Sequence, residues 1–230
     1  MPFRRILTRC VLCTLMALCF AQRSLTQDPA SQSSSSAKHP KKPATPITTG
    51  LESGTITNSV YQNKTLGLTY KIPEGWVLRT DELNARQEEQ PAADPAVPAP
   101  ASSAGAKVLL AAFSRPPEAK GEDVNSSILI AAESQSSYPG LKEAVQYLGP
   151  VTEVAKSQGF TEDEEPYEIA VGPKRFVRAD FHKDVGTRVM RQSTLVLLSH
   201  GYAISITVIA GTDDEVEELI DALNFTANKT

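Results

Sequence analysis

All three cysteines of this 230-residue chain, Cys10, Cys13 and Cys19, fall within its first nineteen residues. Whatever folds beyond them does so without a disulfide and without a thiolate-bound metal. Their neighbours explain the placement. Arg4, Arg5 and Arg9 make a positive start, Cys10 to Phe20 is an apolar run of roughly a dozen residues, and Cys19 and Ala21 put small residues where a signal peptidase reads them. The run is shorter than the ~20 apolar residues a bilayer span needs. Residues 1–21 therefore read as an export signal, with the mature chain starting near Gln22 and carrying no membrane span. Lipid anchoring at Cys19 is the alternative, although Leu18 stands where a lipoprotein signal has glycine or alanine. Arg4-Arg5 hints at twin-arginine export, but Ile6-Leu7-Thr8 departs from that pattern. Cys10-x-x-Cys13 sits in the apolar run with no strand-helix context, so it is not read as a redox motif.

Charge narrows the partners. The whole chain has 23 basic and 27 acidic residues. Removing the three arginines of residues 1–21 leaves 20 against 27, a net charge of about −7. Nucleic-acid binding needs a basic footprint, which this balance does not supply. Residues 22–54 are rich in Ser, Pro, Thr, Ala and Lys, including Ser33–Ser36 and Lys38-His-Pro-Lys-Lys42, and cannot bury enough apolar surface to order themselves. They read as a solvated tether. A second low-complexity stretch at about 87–105, rich in Ala and Pro, reads as a disordered insertion within a single domain spanning 55–230.

That domain alternates strand and helix signals. Ile56–Gln62 and Leu66–Ile72 flank Asn63-Lys-Thr65 as a hairpin, and Pro73-Glu-Gly-Trp76 turns the chain. Lys107–Ser114, Ser127–Glu133, Pro166–Val171, Lys174–Lys183, Thr187–Leu198 and Tyr202–Ala210 have strand length and strand composition. Asp184-Val-Gly186 and Ser199-His-Gly201 join the last three as a meander. A helix is expected over Pro139–Ser157, with Leu141, Ala144, Val145, Leu148, Val151, Val154 and Ala155 as its apolar stripe, a kink or break at Gly149-Pro150, and a stop at Gly159. Thr212-Asp-Asp-Glu215 is a capping box, and behind it Val216, Leu219, Ile220 and Leu223 fall at i, i+3, i+4 and i+7. The fold class is thus α+β, an antiparallel sheet of about six to eight strands with helices packed on it.

Catalytic signatures are scarce. The sequence has no Gly-x-Ser-x-Gly elbow, His-Glu-x-x-His, phosphate-binding loop or EF-hand pattern. No catalytic residue, metal ligand or cofactor is assigned, and the chain is read as not an enzyme. The one constellation with chemical content is Arg178, Asp180, His182 and Asp184, which period-two geometry places on one strand face. If Asp184 and Thr187 close the following hairpin, Arg191 lies opposite Asp180. These five residues form a candidate partner or ligand face. The competing reading is a solvated face with an Asp180–Arg191 cross-strand pair worth a few tenths of a kcal/mol. Glu162-Asp-Glu-Glu165 has the charge to attract a cation or a basic partner but is read as a solvated loop between helix and strand, and Asp213-Asp-Glu215 as acids complementing a helix N-terminus. The sequons at Asn63, Asn125, Asn224 and Asn228 are short enough to recur by chance.

Two segments carry a family resemblance. Leu66-Gly-Leu-Thr-Tyr-Lys-Ile-Pro-Glu-Gly-Trp-Val77 is a hairpin strand ending in a Pro-x-Gly-Trp turn. His200 to Phe225 is a final strand running into a capped helix and a terminal aromatic. Together they resemble the PsbP/Mog group of domains over about Thr55 to Ala227, apart from the insertion. The resemblance implies an α/β/α sandwich and a mostly non-enzymatic role, as in assembly subunits of photosynthetic complexes and a small-GTPase-binding factor. No metal or partner residue of that group maps onto this chain. The expectation is an exported bacterial member, acting as a binding or accessory module of the cell envelope with another envelope protein as partner. A hydrolase using Asp180 and His182 with a metal or water, and a structural envelope spacer, are the alternatives.

Overall fold

The computed structural model describes residues 50–89, 106–119, 121 and 123–226. Residues 1–21, read above as an export signal, most of the stretch read as a tether, and most of the expected insertion at about 87–105 lie outside the described residues. In chain order the strands are β1 Thr55–Thr57, β2 Val60–Asn63, β3 Leu68–Lys71, β4 Val77–Leu78, β5 Lys107–Phe113 and β6 Ser127–Ser134. They continue with β7 Thr161–Glu162, β8 Tyr167–Val171, β9 Lys174–Val185, β10 Arg188–Ser199, β11 Tyr202–Ala210 and β12 Leu223–Phe225. The helices are α1 Thr80–Glu89, α2 Ala144–Ser157 and α3 Asp213–Asp221.

The class is α+β and every described strand pairing is antiparallel. An eight-stranded sheet runs β4-β5-β6-β11-β10-β9, with β7 and β8 both paired along the outer edge of β9. A separate four-stranded sheet, β1-β2-β3-β12, is formed by the first hairpin and the chain end. One face of the large sheet buries Ile128, Ile130, Leu195, Ile204, Ile206 and Val208 against Tyr61, Leu68 and Tyr70 of the small sheet and Val216, Leu219 and Ile220 of α3. The other face meets α2, where Tyr147, Leu148 and Ala155 pack on Phe160, Phe181, Val196 and Ala203.

Several elements differ from expectation, each for a physical reason. Ile56–Gln62 is not one strand, because Asn58 and Ser59 both take positive φ (51° and 60°) and make a two-residue hairpin turn between β1 and β2. Asn63, one of the sequons, is buried, accepting from the Leu66 amide (3.0 Å) and donating to the Glu52 carbonyl (2.9 Å). Helix α1 has no apolar stripe to betray it. It is fastened instead to the edge of β5, where the Asn84 amide group bonds both the carbonyl (2.9 Å) and the N–H (3.0 Å) of Val108 and Thr80 accepts from the Ala111 amide (2.9 Å). It thereby satisfies backbone groups an open edge would expose.

Helix α2 starts at Ala144, not Pro139, because Glu143 and Gln146 form a capping box there. It passes through Pro150 without breaking. The missing N–H costs about 3 kcal/mol, and burial of Tyr147, Leu148, Thr152 and Ala155 on both sides of the proline offsets it. Val145, expected in the stripe, is exposed. Thr212 caps α3 as expected, accepting from the Glu215 amide (3.2 Å), while the Glu215 carboxylate takes the N–H of Gly211 (2.9 Å) and not that of Thr212. Leu223 lies beyond the helix, in β12, buried with Phe225, whose ring sits 5.2 Å from that of Phe176.

Candidate functional site: a charged cleft between the large sheet and the C-terminal helix

The β9–β10 hairpin decides which side chains meet. Its turn is Gly186-Thr187, with Gly186 at φ +64°, so Val185 pairs with Arg188. That register is two residues away from the Asp184–Thr187 closure expected from sequence. Asp180 therefore lies opposite Ser193, His182 opposite Arg191, and Asp184 opposite Val189. A shift of two preserves the face, so Arg178, Asp180, His182 and Arg191 remain on one side as alternation requires. The expected Asp180–Arg191 pair does not form.

Asp180 is held by its own strand and its neighbours. Its Oδ1 accepts from Arg178 Nε (2.8 Å) and from the Ser193 hydroxyl, and its Oδ2 accepts from the Tyr167 hydroxyl (2.7 Å). Arg178 is the hub, with a side chain 11% exposed. Besides Asp180 it donates to Ser193 Oγ (3.1 Å) and to Glu217 Oε1 on α3 (2.6 Å), and its guanidinium lies 5.9 Å from the Tyr167 ring centre. Burial opposes its charge, but hydrogen bonds to Glu217 and Asp180 outweigh that, leaving its pKa above the ordinary guanidinium value. The Tyr167 phenol is pushed up to about 12, first by burial and then because it donates to the Asp180 carboxylate.

A second group of pairs converges on Asp163 and Arg191 of the same cleft, with His182 reaching it through Asp163 and not lining it. His182 Nδ1 contacts Asp163, Arg191 approaches Asp163 (3.8 Å), and Arg191 Nε reaches Asp213 at the start of α3 (3.3 Å). Asp163 is held in place because its amide donates to the Asp180 carbonyl (2.9 Å). The result is a cleft of about 240 Å³ between β9, β10 and α3, lined by Asp163, Glu164, Asp180, Asp213 and Glu217 around Arg178 and Arg191.

Of the five residues expected from sequence, four belong to this network: Arg178, Asp180, His182 and Arg191. Asp184 is exposed beside the hairpin turn and does not line the cleft. Asp180 and His182, paired in the hydrolase alternative, are engaged separately, by Arg178, Ser193 and Tyr167 in one case and by Asp163 in the other. Among the described residues no group of three or more His, Cys, Asp or Glu side chains is placed to hold a metal ion. Sequence reading weighed Asp163 only as part of an acidic run and did not bring it, or Tyr167, Ser193, Asp213 and Glu217, to this site. Asp213 and Glu217 are four apart on a helix and so share a face, the one available signal. The others needed the strand register.

No family model matches the chain, and no curated protein matches it in sequence. Among solved structures it is similar to the cyanobacterial PsbP protein CyanoP of Synechocystis sp. PCC 6803, at 18% identity over 73% of this chain and 91% of that one, with a TM-score of 0.41. It is similar also to the Ran-binding protein Mog1p of Saccharomyces cerevisiae, at 11% identity over 69% and 90% with a TM-score of 0.37. A third is LpqN of Mycobacterium tuberculosis, involved in cell envelope biogenesis, at 16% identity over 70% and 83% with a TM-score of 0.36. PsbP- and Mog-type structures are thus among the likenesses of this chain, and at these scores they carry no inference about activity, ligand or partner. Among the described residues no helix is long and apolar enough to cross a membrane.

Proposed function

We propose that the chain is an exported, non-catalytic accessory module of the bacterial cell envelope that docks another envelope protein through the charged cleft. One observation carries the reading. The cleft sets five carboxylates around two arginines, and its outer acids, Asp213 and Glu217, keep side chains 76% and 52% exposed while Arg191 and Arg178 hold them in place. Such a rim suits a lysine presented by a partner, since fixed complementary charge orients encounter and rejects wrong partners. The inner groups favour binding over catalysis: both Asp180 oxygens already accept bonds from Arg178, Ser193 and Tyr167, which leaves that carboxylate poorly placed to take a substrate proton.

The test is carbodiimide coupling of carboxylates to neighbouring amines in envelope fractions at native abundance. The wild-type chain should give a discrete hetero-adduct that Asp213→Asn combined with Glu217→Gln removes and that raised salt weakens. Adducts unchanged in the double variant, or only self-adducts, would refute docking through this cleft.

A further inference from the structure

The opposite face of the large sheet holds a cavity that the charged cleft does not use. On the α3 side, β6 and β11 present an unbroken apolar row, Ile128, Ile130, Ala132 and Ile204, Ile206, Val208. On the α2 side the same strands and β10 carry Ser127, Glu133, Ser205, Thr207, Gln192 and Thr194. Polar side chains at inward positions cost free energy unless something meets them. Thr194 and Thr207 meet each other across the sheet (hydroxyl oxygens 3.1 Å apart), and Gln192 Nε2 donates to the Thr194 hydroxyl (3.4 Å) while also facing the space beyond. The others border a cavity of about 310 Å³, floored by Leu129, Ala131 and Ile209 and walled by Val151 and Val154 of α2 on one side and Leu83 of α1 on the other.

Its polar end is built. Glu133 is 3% exposed, and its carboxyl accepts a hydrogen bond from the hydroxyl of Tyr138. The Tyr138 ring meets that of Tyr147 edge to face with centroids 5.4 Å apart, which braces it. A carboxyl has about four lone-pair positions. One tyrosine therefore leaves acceptor capacity on Glu133, which with Tyr147 lines the cavity. The volume is at the small end of the roughly 300–1,000 Å³ typical of ligand sites, and mostly apolar walls with a few convergent polar groups are their usual make-up.

We propose that this cavity binds a small neutral amphiphile, with an aryl or short alkyl body against Leu129, Ala131, Val151 and Val154 and one hydroxyl or amine donor on Glu133. A carboxylic acid of the same length is a poor ligand, because its head group meets a buried carboxyl with two acceptors and, among the described lining residues, no lysine or arginine.

The full chain is titrated with N-phenyl-1-naphthylamine, a neutral fluorophore with one N–H donor, and the fluorescence displaced by 1-octanol is taken as the signal. Binding should be saturable at one site, and octanoate at neutral pH should displace the probe at least tenfold more weakly than octanol. Ala131→Phe, filling the cavity from the sheet, should reduce the displaceable signal at least tenfold. Val154→Phe, filling it from α2, guards against a single variant that misfolds, and circular dichroism checks both. Glu217→Gln, on the other face, should bind the probe as wild type does. No displaceable signal, signal retained by both folded filling variants, or equal displacement by octanol and octanoate would each overturn the proposal.

Discussion

Replacing Asp180 by alanine separates the observed hairpin register from the one the sequence suggested. In an exposed cross-strand pair with Arg191 the carboxylate would contribute a few tenths of a kcal/mol. In the structure its side chain is 16% exposed and accepts from Arg178, Ser193 and Tyr167. The charged bond from Arg178 contributes about 1.5–3 kcal/mol, and leaving the hydroxyl of Ser193 without an acceptor costs about 1 kcal/mol more. Ser193 is itself 2% exposed, so water cannot readily replace the lost partner. Arg178 keeps Glu217, which limits the loss. The sum is roughly 2–4 kcal/mol, a fall in Tm of roughly 5–15 °C for a domain of this size. Asp184→Ala is the control, since Asp184 lies on the same strand and face but is exposed, and it should change stability by less than about 0.5 kcal/mol. Urea denaturation followed by circular dichroism, with a thermal melt alongside, measures both. Asp180→Ala unfolding with the wild-type midpoint would refute the network and the register beneath it.

Leu219→Ala, at a position 7% exposed on α3, should cost about 2–5 kcal/mol, whereas Glu218→Ala on the exposed side should be nearly silent; equal melting of Leu219→Ala and wild type would mean that α3 is not docked. The Tyr70 hydroxyl is fully buried and has no hydrogen-bond partner among the described residues, so Tyr70→Phe should raise the urea midpoint by an amount equivalent to about 1 kcal/mol, and a loss of that size would contradict the placement. Burial raises the Glu133 pKa above its ordinary 4.5, with the Tyr138 and Tyr147 hydroxyls only partly opposing it. The folded state then holds a proton the unfolded state has released. This contribution to stability is intact below pH 4.5 and is lost as pH rises through the raised folded value. The difference in urea midpoint between wild type and Glu133→Gln, followed from pH 4 upward, should shift in favour of the glutamine variant; a pH-independent difference would show that Glu133 is not buried.

What sequence alone determined is what local chemistry determines. β-branched and aromatic runs mark β8 to β11, Thr212 and Glu215 cap α3 whatever lies beneath it, and the period-two rule puts Arg178, Asp180 and His182 on one face. His200 and Gly201, both at positive φ, turn the last hairpin within two residues as their identities suggest. The α+β class follows from these elements because each has one apolar face to bury. Tertiary structure decided the rest, wherever two local solutions differ by less than packing can supply. The turn at Gly186-Thr187 and a closure one residue earlier on each strand are both short hairpins, yet only the first brings Asp180 to Ser193 and His182 to Arg191. Helix α1 exists because the edge of β5 offers Asn84 and Thr80 backbone partners, a gain no window of its own polar sequence records. Pro150 stays inside α2 because the sheet holds the residues on both sides of it. The two cavities, one rimmed by acids from α3 and from Asp163-Glu164 just after β7 and the other ending at Glu133, are made of residues distant in sequence. Their charges and hydroxyls acquire chemical meaning only once long-range strand pairing has set them face to face.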